Sequence, residues 1–269
     1  MLKIAVYILL LITVFRNMDE NPKRNILILG ASQGIGYGFV KHLLDDKATT
    51  IFATYRNPES AMELLELANL HPLKITCFQM DVTDENQIEE VVKQIKGQIS
   101  KLHLVINCIG FLHEGKQQPE KSLRQLNSEN LLRYFQVNSI SAVLLAKNLL
   151  PLLKHRDRSV FVSISAKLGS IGDNQLGGWY GYRASKAALN MFIRTAAIEY
   201  SRSSPNTIIS VLHPGTTDTR LSKPFQNNVP SEKLFSIQRT VNQLLTVIEN
   251  LKEEDSGQFF SWDGSPLPW

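Results

Sequence analysis

The chain has 269 residues, of which 43% are hydrophobic and 20% are charged. This composition is that of a globular protein with one large domain or two small ones, and it excludes disordered and fibrous architectures. The 29 basic and 25 acidic residues leave a net charge of +4, and because the basic residues are scattered we predict no nucleic-acid partner. Two cysteines cannot form a disulfide framework, which favours a reducing compartment such as the cytoplasm, and the six histidines form no paired cluster, so we predict no metal site.

An apolar run at residues 4–15 opens the chain. It is too short for a membrane-spanning helix, which needs about 20 residues, and no small-x-small cleavage site follows it. Two interpretations stay open: Met18 is the true start and residues 1–17 are an extension or loosely held tail, or these residues associate with a membrane or target the chain. We therefore divide the chain into an N-terminal extension at 1–24 and one domain at 25–269.

From residue 25 onward, short apolar runs alternate with segments of helical spacing. Short apolar runs bounded by turn residues are typical of buried strands. The predicted strands are 26–29, 50–55, 74–80, 102–109, 159–165, 207–212 and 257–262. The predicted helices are 36–47, 58–70, 84–97, 129–153, 180–203 and 231–251. Strands that alternate with helices predict an α/β fold, a single doubly wound domain with a parallel sheet of about seven strands and helices on both faces.

A glycine-rich turn, Gly30-Ala31-Ser32-Gln33-Gly34-Ile35-Gly36, follows the first strand and opens the first helix. Gly30 allows the tight turn, Gly34 lets the backbone approach a pyrophosphate, and Gly36 permits close packing of helix on sheet. Free N–H groups at the helix N-terminus suit the phosphates. The alternative is an ordinary strand–helix turn. We predict a dinucleotide site formed by Gly30, Ser32, Gln33, Gly34, Ile35 and Gly36.

The end of the second strand carries the sequence Tyr55-Arg56-Asn57, without the acidic residue that an NAD site usually has there. A guanidinium suits phosphate oxygens, so Arg56 could pair with a ribose 2′-phosphate. The alternative is that Arg56 is a solvated residue at a strand end. The pattern favours NADP(H) as cofactor, with NAD(H) still open, and places Tyr55 and Arg56 at its adenosine end.

Tyr182 and Lys186 are four residues apart in a predicted helix and therefore share one helix face. A free tyrosine has a pKa near 10. A nearby ammonium stabilises the phenolate and lowers that pKa, which makes the tyrosine a usable acid or base. A surface pair at helical spacing is the alternative.

Tyr-x-x-x-Lys downstream of Gly-x-x-x-Gly-x-Gly resembles the short-chain dehydrogenase/reductase superfamily, and the resemblance covers residues 25–269. Other matches occur in the expected order at Asp81-Val82, Asn138 and Pro214-Gly215. Asn107-Cys108-Ile109-Gly110 resembles the family's Asn-Asn-Ala-Gly turn, with its second and third positions altered. Within the superfamily, residues 177–186 and 257–264 are similar to the bacterial C-factor group and the sniffer-type carbonyl reductases. The resemblance implies a Rossmann-type reductase domain with an NADP(H) or NAD(H) cofactor.

The resemblance also implies roles for individual residues. Lys186 would hold the nicotinamide ribose as well as lower the pKa of Tyr182, and Asn138 would position a water in a proton relay. The remaining cofactor contacts that it implies are Asp81, Val82, Asn107, Gly110, Pro214, Gly215, Thr216 and Thr219.

The usual catalytic serine of the family is missing, because its position falls on Ala166. Ser165 is adjacent, but successive strand side chains point to opposite faces, so it could face away. Ser170 lies in the loop toward Tyr182 and is the candidate that we favour. The alternative is that neither serine contacts substrate.

Two loops border the predicted pocket. Trp179 would either form a pocket wall or belong to the core. Residues 216–230 are polar and rich in turn residues, so we predict a lid with Phe225 as its anchor.

We expect an NADP(H)-dependent oxidoreductase that moves a hydride between nicotinamide and the carbonyl or alcohol carbon of a small molecule. Ala166 and the resemblance to the C-factor group support an alternative, a cofactor-binding signalling protein with little turnover. The family's usual dimer surface is formed by its two long helices, which implies a homodimer or homotetramer. We expect no membrane contact except through residues 1–17.

Overall fold

The computed structural model describes residues 24–115 and 117–269, so the predicted apolar run at 4–15 lies outside the described residues. The strands are Arg24–Leu29 (β1), Thr49–Tyr55 (β2), Ile75–Gln79 (β3), Leu104–Asn107 (β4), Ser159–Ile164 (β5), Thr207–His213 (β6), Thr216–Thr217 (β7), Leu234–Phe235 (β8) and Phe259–Ser261 (β9). The α-helices are Gly34–Leu43 (α1), Met62–Leu70 (α2), Glu85–Lys96 (α3), Ser128–Phe135 (α4), Ser141–Leu153 (α5), Tyr180–Ser203 (α6) and Ile237–Asn250 (α7).

Seven strands form one sheet in the order β3-β2-β1-β4-β5-β6-β9, and each neighbouring pair is parallel. A sheet with helices on both faces needs strands that are apolar throughout, and all six residues of β5 are buried. The strand order reverses between β1 and β4. In doubly wound sheets such a reversal opens a crevice at the carboxyl ends of the strands, where ligands bind.

The two faces of the sheet carry separate apolar cores. Helices α3, α5 and α6 pack on one face through buried residues that include Ile88, Leu145 and Leu189. Helices α1, α2 and α7 pack on the other face through residues that include Phe39, Leu64 and Leu244. Each fully buried side chain of this size stabilises the fold by about 1.5–3 kcal/mol. The predicted parallel sheet of about seven strands between two helical layers is confirmed.

The predicted helices 129–153 and 231–251 differ most from those in the structure. The predicted helix 129–153 is divided by a π-helical turn at Gln136–Ile140, between α4 and α5. The predicted start at Ser231 is wrong, because Ser231–Lys233 is a 3₁₀ turn and β8 follows it. The last helix begins after Ser236, whose hydroxyl accepts a hydrogen bond from the Arg239 N–H at 3.2 Å and so caps it.

The helical stretch Ser128–Leu153 is long and apolar enough to cross a membrane by composition, and 56% of its most apolar window is buried inside the protein. Buried core helices pass the same test, and Leu145, Leu149 and Leu152 of this stretch belong to the core under the sheet.

Candidate active site

The carboxyl ends of β1 to β6 meet at one edge of the sheet, because all six strands are parallel. The glycine-rich turn follows β1, Arg56 follows β2, Asp81 lies just after β3, and Gly110 lies after β4. Ala166 follows β5 and Pro214 follows β6. The topology therefore brings the sequence-predicted cofactor residues to the crevice at the strand reversal.

The glycine-rich turn has the geometry of a phosphate cradle. Gly30 and Gly34 have φ of +74° and +58°, a region that favours glycine. A Cβ on Gly36 would lie 2.3 Å from the carbonyl oxygen of Gly30, so only glycine allows this contact between α1 and the turn. The side chain of Gln33, the N-cap of α1, makes no capping hydrogen bond, and the amides of the first helical turn face the crevice without a side-chain cap. These features fit a dinucleotide pyrophosphate.

Neighbours of the turn complete its walls. Ser32 and Ile35 are partly exposed within it, and Gln33 is exposed. The Cγ2 of Thr219 lies 3.4 Å from the position that a Cβ on Gly34 would occupy. Thr219 is distant from the turn in sequence, and the fold places it against the phosphate cradle.

The adenosine end of the crevice carries an ion-pair network. Arg56 Nη2 donates to Glu114 Oε1 at 2.9 Å, so Arg56 is not simply solvated. Glu114 Oε2 accepts a second bond from Arg133 Nη2. Asp81 Oδ1 accepts from the backbone N–H and the hydroxyl of Thr83, at 2.9 and 2.7 Å. The side chain of Val82 is buried in the core, which leaves its backbone to face a ligand.

The turn after β4 brings Gly110 next to the catalytic candidates. Asn107 holds the turn, since its Oδ1 accepts from Ile109 N at 3.1 Å and its Nδ2 donates to Ser163 Oγ at 3.3 Å. A Cβ on Gly110 would lie 3.7 Å from Lys186 Nζ. The absence of a side chain at Gly110 leaves space in front of the ammonium.

Tyr182 and Lys186 lie close together and are both buried. Tyr182, in the first turn of α6, is 7% exposed, and Lys186 is 2% exposed. Lys186 Nζ lies 5.9 Å from the centroid of the Tyr182 ring and donates to the carbonyl oxygen of Ile164 at 2.9 Å. The Tyr182 ring packs in an apolar cluster with Phe111, Leu112, Tyr134, Val137 and Ala166.

Burial controls the protonation of both groups. It raises the pKa of Tyr182 above its ordinary value of 10, and it lowers the pKa of Lys186 to about 8, because each charged form loses hydration. Burial thus acts against formation of the phenolate, and the lowering of the Tyr182 pKa by Lys186 stays a prediction. A tyrosine in this state keeps its proton at neutral pH and suits the role of an acid.

Asn138 stands in the π-helical turn between α4 and α5. Its Oδ1 accepts from Phe111 N at 2.7 Å, and its Nδ2 donates to Phe111 O at 2.9 Å and to Ser185 Oγ at 3.0 Å. The side chain thus joins the loop after β4 to α6. Both amide hydrogens of Asn138 are therefore in use, and its Oδ1 accepts one of the two hydrogen bonds that an amide oxygen can accept. π-Helical turns occur frequently at functional sites.

The three positions around the missing serine have different surroundings. Ala166 contacts the apolar cluster around Tyr182. Ser165 is buried and its hydroxyl donates to Asn190 Oδ1 at 2.6 Å. Ser170 is also buried, and its Oγ accepts from Asp173 N at 3.1 Å. The Ser165 hydroxyl is therefore bound to a residue of α6. The Ser170 hydroxyl donates no hydrogen bond to a side chain among the described residues.

Trp179 forms a wall of the site rather than part of the central core. Its φ of 52° is the one positive value among the described non-glycine residues, and strained conformations of this kind cluster at functional sites. The ring centroids of Trp179 and Tyr182 are 6.1 Å apart, and those of Trp179 and Phe225 are 4.7 Å apart. Trp179 and Phe225 also border a cleft of about 500 Å³.

The segment after β6 lies over the crevice. Gly215 has a φ of +73°, and a Cβ there would lie 2.5 Å from the Phe235 ring. Thr216 follows directly in β7, which pairs with β8. The carbonyl oxygen of Leu221 lies 3.1 Å from His113 Nε2, and Leu221 Cδ1 lies 3.9 Å from the position of a Cβ on Gly110. Residues 216–230 therefore contact both the β4 turn and the aromatic wall.

Sequence reasoning missed Glu120 and Glu114. Glu120 is 2% exposed, its Oε2 accepts from Gly181 N at 3.1 Å, and its main-chain oxygen accepts from Trp179 N at 2.5 Å. Its Oε1 is buried and has no hydrogen-bond partner among the residues that the structure describes. Both acids lie in a polar loop without periodicity, where no local signal separates them from solvated carboxylates.

Comparisons with known proteins agree with this geometry. A family model described as "short chain dehydrogenase" matches residues 24–230. The NADPH-bound carbonyl reductase from chicken fatty liver is 30% identical with a TM-score of 0.82, over 91% of this chain and 99% of that one. The carbonyl reductase Sniffer of Drosophila melanogaster is 29% identical with a TM-score of 0.81, over 92% of this chain and 100% of that one.

One relative bears on the signalling alternative. The C-signal protein of Myxococcus xanthus is 30% identical over 149 residues, which are 55% of this chain and 84% of that protein. The predicted resemblance to both the sniffer-type reductases and the C-factor group is confirmed. With the family model spanning the cofactor crevice, Tyr182 and Lys186, the chain belongs to the short-chain dehydrogenase family of oxidoreductases.

Proposed function

We propose that the protein is an NADP(H)-dependent carbonyl reductase that interconverts a carbonyl compound and its alcohol. The observation that carries the proposal is the buried Tyr182–Lys186 pair, next to Gly110 and at the same sheet edge as the glycine-rich turn. The likeness to two carbonyl reductases, one of them bound to NADPH, supports the reaction class and the cofactor.

The chain's own residues supply the proton and hold the reactants. The cofactor, when bound, supplies the hydride that adds to the carbonyl carbon. Tyr182 donates its proton to the carbonyl oxygen, and in the reverse direction it accepts that proton from the alcohol. Lys186 has a pKa lowered by burial to about 8, so at neutral pH its ammonium offsets the phenolate charge that proton donation leaves. Asn138 positions a water that returns a proton to Tyr182.

Ser170 orients the carbonyl in this proposal, because the Ser165 hydroxyl is bound to Asn190. Loss of one positioned donor lowers the rate of comparable enzymes by about 10²–10³-fold. An alanine at position 166 therefore predicts a slower enzyme than one with the usual serine, unless Ser170 supplies the missing bond.

Arg56 selects NADP(H) by pairing with the ribose 2′-phosphate, and NAD(H) binds more weakly. A cytoplasmic location and a homodimer or homotetramer built on the long helices complete the proposal.

A cofactor-binding signalling protein with little turnover is the second candidate. Ala166 and the likeness to the C-signal protein favour it. Tyr182, Lys186 and the bonded Asn138 argue against it, because binding alone needs only the glycines and the ribose contacts.

NADPH oxidation against a panel of aldehydes, ketones and quinones tests the proposal. Tyr182→Phe should leave NADPH affinity nearly unchanged and lower the rate by about 10²-fold or more, since it removes only the exchangeable proton. Tyr180→Phe is the matched control, because Tyr180 is 37% exposed and lies two residues away, and it should leave the rate unchanged. If no carbonyl is reduced, or if Tyr182→Phe reduces every substrate at the wild-type rate, the signalling candidate replaces the enzyme.

A further inference from the structure

We propose that Glu114 is a specificity-determining residue that weakens the preference of this chain for a 2′-phosphorylated dinucleotide, because it occupies the guanidinium that the phosphate would bind. The inference rests on the proposed function, in which Arg56 selects NADP(H). Glu114 acts through Arg56 and needs no contact with the reacting atoms.

The contact between the two residues is direct. Arg56 Nη2 and Glu114 Oε1 are 2.9 Å apart, and the two side chains are 52% and 50% exposed. The main chain of Arg56 is held by Gln79, whose Nε2 donates to the Arg56 carbonyl oxygen at 3.1 Å. A phosphate at the end of β2 and the Glu114 carboxylate therefore compete for the same guanidinium.

Arg133 is a second cationic partner of Glu114. Its Nη2 donates to Glu114 Oε2, and its guanidinium lies 4.9 Å from the centroid of the Phe111 ring. Partial burial acts to raise the pKa of Glu114, but the two arginines outweigh it and hold that pKa below its ordinary value. Glu114 thus stays ionised, and it keeps Arg133 as a partner when Arg56 turns to a phosphate.

The charges of these three side chains predict that Glu114 weakens the binding of a 2′-phosphate. Arg56, Arg133 and Glu114 together carry one net positive charge, and a phosphate monoester adds about two negative charges. The carboxylate both occupies Arg56 and repels the phosphate at short range. Its removal should favour ligands with a 2′-phosphate and leave ligands without one almost unaffected.

Calorimetric titration of the full chain with 2′,5′-ADP and with 5′-ADP measures how much the 2′-phosphate contributes to binding, and it requires no turnover. Glu114→Gln should bind 2′,5′-ADP roughly 3- to 10-fold more tightly than wild type, as expected for loss of one exposed ion pair and its repulsion. Its affinity for 5′-ADP should stay within about 2-fold. Glu59→Gln is the matched control, because Glu59 is an exposed carboxylate near Arg56 that pairs with no cation among the described residues.

Two arginine variants show whether the effect passes through Arg56. In an Arg56→Ala background, Glu114→Gln should no longer improve binding of 2′,5′-ADP. Arg133→Gln should weaken that binding by about 2- to 3-fold, because Glu114 then pairs with Arg56 alone and one positive charge is lost, and the loss should be smaller when Glu114→Gln is also present.

The outcomes separate this inference from the proposed function. If Glu114→Gln does not tighten 2′,5′-ADP, or tightens 5′-ADP equally, while Arg56→Ala still weakens 2′,5′-ADP, the role of Glu114 is wrong and the role of Arg56 stands. If Arg56→Ala binds both ligands as wild type does, the proposed cofactor preference is wrong and the inference is overturned with it.

Discussion

Ala166 stands where the resemblance to the family predicts the usual catalytic serine. It packs against the cluster around Tyr182, so the side chain is in the right region and lacks only a hydroxyl. The two neighbouring serines have different partners, Asn190 for Ser165 and the Asp173 amide for Ser170. Of the two, Ser170 alone has a hydroxyl hydrogen with no acceptor among the described residues.

These surroundings predict different outcomes for three substitutions. Ser170→Ala should lower kcat by about 10-fold or more at unchanged NADPH affinity, as for loss of an orienting donor. Ser165→Ala should leave kcat unchanged and cost about 1–3 kcal/mol of stability, because it leaves Asn190 unpaired in the interior. Ala166→Ser should raise kcat. Steady-state rates and urea unfolding of each variant check this, and a silent Ser170→Ala together with a silent Ala166→Ser would mean that no serine takes part.

At the scale of elements, the start of α6 determines where the catalytic candidates stand. Trp179 precedes the helix in a left-handed conformation, with Gly177 and Gly178 also at positive φ. Glu120 holds this entry from the loop after β4 through one main-chain and one side-chain hydrogen bond. A buried acceptor of this kind aligns both the aromatic wall and Tyr182.

Glu120→Ala should therefore loosen the entry to α6. The Gly181 N–H would lose its buried partner, which costs about 1–3 kcal/mol, and KM for carbonyl substrates should rise because only the main-chain bond from Trp179 to residue 120 then holds the start of α6. Glu120→Gln keeps an acceptor for the Gly181 N–H, so it should retain the wild-type stability and KM. Equal losses for both variants would show that the charge of Glu120 matters, and not the hydrogen bond.

At the scale of the whole molecule, a cation buried in the candidate site lowers the stability of the fold. Lys186 is 2% exposed, and burial lowers its pKa from 10.5 to about 8. Below pH 8 the folded chain carries the full cost of the buried charge. Between pH 8 and 10.5 the folded form loses its proton while the unfolded form keeps it, so this group favours folding more as the pH rises.

Lys186→Met should accordingly raise the free energy of unfolding at pH 7 by about 1–3 kcal/mol, while it weakens NADPH binding and abolishes measurable reduction. The stability difference between the variant and wild type should be largest below pH 8 and shrink toward pH 10. Denaturant unfolding of both proteins at a series of pH values measures it. A difference that does not change with pH would mean that Lys186 is not the titrating group.

The amino-acid sequence by itself was enough to predict the architecture and the Tyr182–Lys186 pair. The strands were predictable because short apolar runs and glycine spacing are local signals, and the seven-stranded parallel sheet is confirmed. Because parallel strands end at one edge, the order of the strands and turns is enough to group Gly30, Tyr55, Asn107 and Pro214. The four-residue spacing of Tyr182 and Lys186 likewise needed only the geometry of a helix.

Only the tertiary structure decided what surrounds those residues. The partner of Arg56 is 58 positions away in sequence, and the acid that holds Gly181 is 61 positions away. The pKa of Tyr182 rises because several segments exclude water from it, an effect that spacing to Lys186 cannot reveal. Contacts, hydration and charge balance depend on chain segments that meet only in the folded protein, and no local pattern records which side chains they bring together.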